Sequence, residues 1–381
     1  MATYYIHADK FFLKNKVEND GYLAIIDGRF GTYQTEKPDG EIKDYSGKWI
    51  APGLVDTHIH GLKGHDVMDN DFEGVKAMSD GLLECGVTSF LPTTLTAAPE
   101  TLNEVIADIG DHYTEASGAK IQGVFFEGPF FTEEHKGAQN PKYFSDPSLE
   151  IFNHWQALAH GMIKKIAIAP ERKGAKVFTA TLKQQGVKVA LAHSSATYEG
   201  AKEVVEAGAS IFVHTYNGMS PLNHREPGMV GAAMTLKDVF AELICDGHHV
   251  HPQAAQALIS VRGTDQTALI TDCMRAGAMP EGPSMLGEFP VMVKDGAARL
   301  ESGSLAGSVL MLKQAVKHIV DWNIATPAQA IKMASQVPAE SVGIDDRCGS
   351  ITPEHAADFI VFDHDLNLVE TYLDGISRYQ K

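Results

Sequence analysis

Eight short runs rich in β-branched and aromatic residues recur between positions 54 and 273, and helical stretches separate most of them. The runs are LVDTHIH, GVTSFLPTT, IQGVFFEGPFF, IKKIAIAP, VKVALAHSSA, SIFVHTYNG, FAELICDGHH and TALITDC. The stretches between them include Phe72 to Cys85, Pro99 to Thr114, Thr197 to Ala207 and Pro252 to Val261. Strands joined by helical crossovers run parallel, and eight of them point to a closed barrel. An open doubly wound sheet is the competing arrangement, but no GxGxxG motif follows the first strand. The expected fold class is therefore α/β, a (β/α)8 TIM-like barrel.

The ends of the chain read differently. YYIHADKFFL, YLAIIDGRFGTYQ and EIKDYSGKWIAPG are strand-like, and Asp27-Gly28 is a hairpin turn signal. Near the other end, DFIVFD and a second turn at Asp374-Gly375 repeat the pattern. Chain ends commonly lie close together. A small β-sandwich domain built from residues 1–51 and 346–381 is thus expected beside a barrel of residues 52–345. After the eighth strand, the Gly- and Pro-rich stretch from Arg275 to Gly307 reads as an inserted hairpin around Asp295-Gly296.

A formal net charge of −17 sets the chain against nucleic acid and anionic membrane, because neutralising phosphates needs clustered Lys and Arg. No run of about 18 apolar residues spans a bilayer. The first residues, MATYYIHADKFFLKNK, lack the apolar core of a secretory leader. Cys85, Cys245, Cys273 and Cys348 form no CxxC pair, which suits a reducing compartment. The expected location is the cytoplasm.

Polar residues fall where the strands end, and that is the catalytic rim of a parallel barrel. Strand one ends in His58-Ile59-His60, strand three carries Glu127, and strands five and six end in His193 and His214. Strand seven ends in Asp246 with His248 and His249, and strand eight ends in Asp272. Period-two alternation turns His58 and His60 to the same side. Each residue also has a plain structural reading: a capped carboxylate, a satisfied core histidine, a turn cap. Five such groups on apolar strands are better explained by a divalent metal, since buried charge is costly unless paired or metal-bound. Nitrogen and oxygen ligands without sulfur suit zinc or iron, with cobalt or manganese as further options. Four imidazoles and one carboxylate suffice for one or two ions, with Glu127 bridging. Such an ion activates water and polarises a carbonyl. Asp272 is then the candidate to carry the proton.

More specific sequence features join these. APGLVDTHIHG resembles the first-strand motif of the amidohydrolase superfamily, and GSITPEHAADFIVFD resembles its C-terminal β segment. EGPFF, KGAQNP, AHSSAT, HTYNGM, REPG, DGHHV and ITD, in that order, are similar to the N-acetylglucosamine-6-phosphate deacetylase family. The resemblance runs from Pro52 to Asp363. It implies that Glu127, His193 and His214 hold the principal metal, that His58 and His60 complete a second position, and that Asp272 is the general base and acid. One-metal relatives often place a His where this chain has Gln139, so the resemblance leaves metal count and the part played by Gln139 open. It further implies that Ala138, Gln139, Asn217, Gly218, Arg225, His249, Leu305, Ala306 and Gly307 bind a small amino sugar phosphate. A homodimer is implied as well. Physically, Arg225 offers a planar fork for phosphate oxygens, unless it is taken by an ion pair with Glu226. His224 and His251 read as exposed loop histidines.

Two other functions compete. A cyclic amidase such as a dihydroorotase, or an aminoacylase, would keep the barrel, but many of these bridge two metals with a modified Lys at the end of strand four. Here IKKIAIAPE ends in Pro170-Glu171, and Glu171 reads as a loop cap. A scaffold that has lost its chemistry would lack several ligands, and this chain keeps them all.

Overall fold

The computed structural model describes residues 3–381. The eight predicted barrel strands are Leu54–Ile59, Val87–Thr94, Val124–Phe130, Ile163–Ile168, Lys188–Leu191, Ile211–Phe212, Phe240–Ile244 and Thr267–Ile270. They pair in that order, all parallel. The ring closes between the eighth and first strands, where Ile59 bridges Cys273 and the N–H groups of His60 and Asp272 donate to Cys273 and His58 carbonyls. Almost every residue of these strands is buried, because helices cover the outside and side chains fill the inside.

The crossover helices stop and start where local chemistry dictates. Asp71 caps Phe72–Leu83, Thr197 caps Tyr198–Ala207, and Pro occupies the first turn of both Pro99–His112 and Pro252–Arg262. Phe126 and Phe130 of the third strand pack on Trp155 of the helix Leu149–Leu158, which is how the outer layer grips the sheet.

Both chain ends build one seven-stranded sheet, the small β domain expected from sequence. Its order is Ile376–Gln380, Leu368–Leu373, Phe359–Phe362, Glu41–Pro52, Thr3–Leu13, Lys16–Ile26, Arg29–Gln34. The Asp27-Gly28 and Asp374-Gly375 turns both adopt left-handed φ, at 51° and 77° and at 49° and 72°. That is the backbone a tight two-residue hairpin requires. A core of its own, including Phe11, Ile50, Phe359 and Tyr372, underlies the sheet.

The insertion after the eighth strand is larger than a hairpin. Gly282–Leu286, Phe289–Lys294 and Ala297–Leu300 form a three-stranded antiparallel meander, and Asp295-Gly296 is only its second turn. Leu286, Val291 and Val293 tuck its inner face against Leu95 and Met274 at the barrel mouth. No helix among the described residues is long and apolar enough to cross a membrane.

Candidate active site

At the carboxyl ends of the strands, six predicted residues meet in two clusters. Glu127, His193 and His214 form one, and His58, His60 and Asp272 form the other. All but the fully buried His58 line a cleft of about 240 Å³ together with Ala138, Gln139, Asn217, Gly218, His249, Leu305 and Gly307. A larger groove of about 420 Å³, lined by Phe12, Lys14 and Lys332, lies elsewhere and holds no such cluster.

The clusters carry an electronic peculiarity. Nδ1 of His193 donates to the His135 carbonyl at 2.9 Å, and Nδ1 of His214 donates to the Asn217 carbonyl at 3.1 Å. Carbonyls only accept, so in a neutral imidazole the free lone pair of each ring lies on Nε2. Those two nitrogens nevertheless face each other across 3.2 Å, and each faces Glu127 Oε1, at 3.4 and 3.3 Å. Three electron-rich atoms converge on one point. Donors about 2.0–2.1 Å from a tetrahedral ion stand roughly 3.3 Å apart. The arrangement fits a divalent cation.

The second cluster fits one as well. His60 is oriented through Nδ1 by the Thr93 carbonyl at 3.1 Å. Its Nε2 lies 3.3 Å from His58 Nε2 and 3.2 Å from Asp272 Oδ1, and the His58–Asp272 distance is 3.5 Å. Glu127 stands between the groups, with Oε2 3.2 Å from His60 and Oε1 3.6 Å from His58. Burial works to raise the Glu127 carboxyl, but the imidazoles of His58, His193 and His214 outweigh it and hold it well below the usual range. Burial likewise opposes charge on Asp272, yet His58 and His60 keep its carboxyl down at about 2. It is ionised at neutral pH, as a proton acceptor must be.

The backbone is bent to deliver these groups. His193, His214 and Asp272 all have left-handed φ, at 44°, 30° and 51°. Each such residue costs on the order of 1–3 kcal/mol and persists only where its surroundings impose it. Close approach of the loop that follows His214 depends on glycine. Gly218 has φ +60°, and a Cβ there would stand 2.8 Å from His193 Nδ1. Gly218→Ala is expected to lower the melting temperature, in keeping with about 1–3 kcal/mol of strain. A thermal unfolding scan checks this.

Gln139 is fully committed. The Thr96 N–H donates to its Oε1 at 3.0 Å, which turns its Nε2 to donate to Glu127 Oε2 at 2.7 Å. Glu171, at the end of strand four, is a loop cap: it accepts from Thr132 Oγ1, Ser194 Oγ and the Ser195 N–H. Lys165 of the same strand is buried, yet its ammonium pairs with Glu242 and belongs to neither cluster. His249 is oriented by Asp246, whose Oδ2 accepts from Nδ1 at 2.6 Å.

Besides His58, two predicted residues stand apart from the cleft lining. Ala306 is buried behind it, its N–H donating to the Ala298 carbonyl of the meander. Arg225 is exposed, and its guanidinium contacts His224 Nε2 at 2.9 Å rather than Glu226. His251 caps the helix Pro252–Arg262. Sequence reasoning passed over Asp56, whose carboxylate accepts from Thr271 Oγ1 at 2.6 Å and from the His58 N–H at 3.2 Å. It ties strand one to strand eight beneath the site, and burial pushes its carboxyl up to about 6 against those hydrogen bonds. The available signal was its spacing, two residues before His58 and on the same inward face.

Imidazoles and carboxylates gathered over a parallel barrel, with a proton acceptor beside them, define a hydrolase site of the kind that works with a divalent cation. The sequence matches the family described as the amidohydrolase family over residues 49–378. It is 40% identical over 361 residues to an N-acetylglucosamine-6-phosphate deacetylase of Vibrio furnissii, covering 94% of this chain and 89% of that one. Over 374 residues it is 37% identical to an N-acetylgalactosamine-6-phosphate deacetylase of Escherichia coli O157:H7, covering 98% of each. A mutant N-acetyl-D-glucosamine-6-phosphate deacetylase from Mycobacterium smegmatis, solved in complex with N-acetyl-D-glucosamine-6-phosphate, matches with a TM-score of 0.94 and 27% identity across 100% of both chains. This chain belongs to the amidohydrolase family.

Proposed function

We propose that the protein hydrolyses the acetamide of N-acetylglucosamine 6-phosphate, releasing glucosamine 6-phosphate and acetate. The observation that carries this reading is the pair of ligand clusters sharing Glu127 with Asp272 at their edge, in a chain whose relatives are amino sugar phosphate deacetylases. Glu127, His193 and His214 would hold the principal cation, and His58 and His60 the second, with zinc or iron the favoured ions. When bound, such an ion lowers the pKa of water and polarises an acyl oxygen.

The chain's own residues do the rest. Asp272 accepts a proton from the attacking water and returns it to the nitrogen as the C–N bond breaks, since an amine leaves poorly without protonation. Gln139 contributes by holding Glu127 through Nε2, and its own oxygen is occupied by Thr96. His249, Asn217 and the backbone near Ala138 and Leu305–Gly307 position the sugar. Arg225, set beside His224 on an exposed loop, is the fork offered to the phosphate, which a chain of net charge −17 needs. The reading includes a homodimer, for which light scattering supplies the check.

A second substrate is favoured by one comparison. The relative named for N-acetylgalactosamine 6-phosphate spans nearly the whole of this chain. Acetate release should therefore be measured from both epimeric phosphates and from unphosphorylated N-acetylglucosamine. The expected result is kcat/KM highest for N-acetylglucosamine 6-phosphate and at least about tenfold lower without the phosphate, the worth of one charge-assisted contact. Equal turnover of phosphorylated and plain sugar would sink the role of Arg225. No acetate from any of the three would sink the reaction.

A further inference from the structure

Lys165 and Glu242 form an ion pair inside the barrel, and neither side chain has any exposed surface. Barrel interiors are ordinarily filled with aliphatic layers. Replacing a buried ion pair by apolar residues of similar volume is often neutral or stabilising. Fold stability alone therefore gives no reason for two charges here.

Their surroundings give one. Lys165 points inward from the fourth strand, bonds Glu242 Oε1, reaches the Thr57 carbonyl at 3.5 Å and lies 3.7 Å over the Phe125 ring. Glu242 points inward from the seventh strand. Its other oxygen, Oε2, has no hydrogen-bond partner, and neither does His58 Nδ1. These two buried, unpartnered atoms face each other across 3.6 Å. The other imidazoles of the two clusters are held differently: Nδ1 of His60, His193 and His214 meets the main-chain carbonyls of Thr93, His135 and Asn217. Of the four imidazoles in the two clusters, His58 alone has a carboxylate behind its Nδ1.

We infer that Glu242 is a positioning residue for the His58–His60–Asp272 cation site, acting through His58, and that Lys165 balances its charge in the barrel interior. The inference rests on reading that cluster as a second cation site. Donation of the Nδ1 proton to Oε2 fixes the tautomer and aims the Nε2 lone pair at His60 and Asp272. It also makes that nitrogen a stronger donor, as outer-layer carboxylates do for metal-bound histidines. At 3.6 Å the contact is too long for a hydrogen bond. A small rotation of either side chain closes it, and neither atom has another partner to give up.

The test is a competition titration of metal-free, full-length protein with zinc alone against a chromophoric chelator. Wild type is expected to take two zinc ions. E242Q should weaken one of them by about 10–100-fold, the usual effect of removing such a partner, and leave the other unchanged. The double variant K165M/E242L removes both charges. It should melt in EDTA at or above the wild-type temperature, yet show the same loss at one zinc. A pair that serves only the fold gives the reverse, a lower melting temperature with both zinc affinities intact, and that overturns the inference. Should the double variant fail to fold, E242Q alone decides. A wild-type stoichiometry of one zinc also overturns it, while leaving acetate release, and with it the proposed reaction, untouched.

Discussion

Asp272→Asn is expected to slow acetate release by about 10²–10⁴-fold, the contribution of a positioned general acid and base, with zinc still bound at Glu127, His193 and His214. The substitution keeps the side chain's shape and removes its ability to take a proton. Its backbone is pinned independently of the carboxylate: the Asp272 N–H donates to the His58 carbonyl at 2.9 Å, and its own carbonyl accepts from the Ser308 N–H at 2.7 Å. The loop should therefore stay in place. Because Asp272 Oδ1 also faces His58 and His60, the same variant should bind its second zinc more weakly. Steady-state kinetics with elemental analysis of the same sample separates the two effects. A variant that turns over within about tenfold of wild type, less than the smallest expected acid–base contribution, would remove Asp272 from the proton path.

Glu127→Gln should have the broader effect, because one carboxylate faces both clusters. Oε1 meets His193, His214 and His58, and Oε2 meets His60. Gln puts a neutral amide there, so four imidazoles lose the anion that draws a cation among them. Zinc affinity should fall by more than about 100-fold, beyond what an outer-layer partner contributes, and turnover should fall with it. Glu171→Gln is the control. Glu171 is an acid at the same rim that only caps a loop, so its loss should leave zinc content unchanged. Zinc retained at wild-type affinity in Glu127→Gln would show that Glu127 is not a ligand.

The barrel and most of its rim were legible because period and position carry the information. Inward alternation placed His58 with His60, and strand ends placed Glu127, His193, His214 and Asp272 at one mouth. Other features depend on contacts between segments distant in sequence. IKKIAI and FAELI each hold a charge inside an apolar strand, yet only the closed ring reveals that Lys165 and Glu242 meet under His58. The first strand of the meander, Gly282–Leu286, carries Gly and Pro and so lacks a strand's composition. It is held instead by pairing with Phe289–Lys294. Left-handed backbone at His193, His214 and Asp272 has no local signature, because its cause is the surrounding rim. Gln139 was ambiguous from sequence because the direction of its amide is set by one main-chain N–H, that of Thr96.

The sheet shared by both termini has a consequence for how the protein is made. Glu41–Pro52 leaves the ribosome early, but its neighbour Phe359–Phe362 emerges more than 300 residues later. At about 5–20 residues per second, that is a wait on the order of tens of seconds. Throughout it, Phe11 and Ile50 lack Phe359 and Tyr372 to cover them, and one long strand edge stays open. Nascent chains should accordingly be clients for holding chaperones, and fragments ending before residue 359 should aggregate even where their barrel is whole.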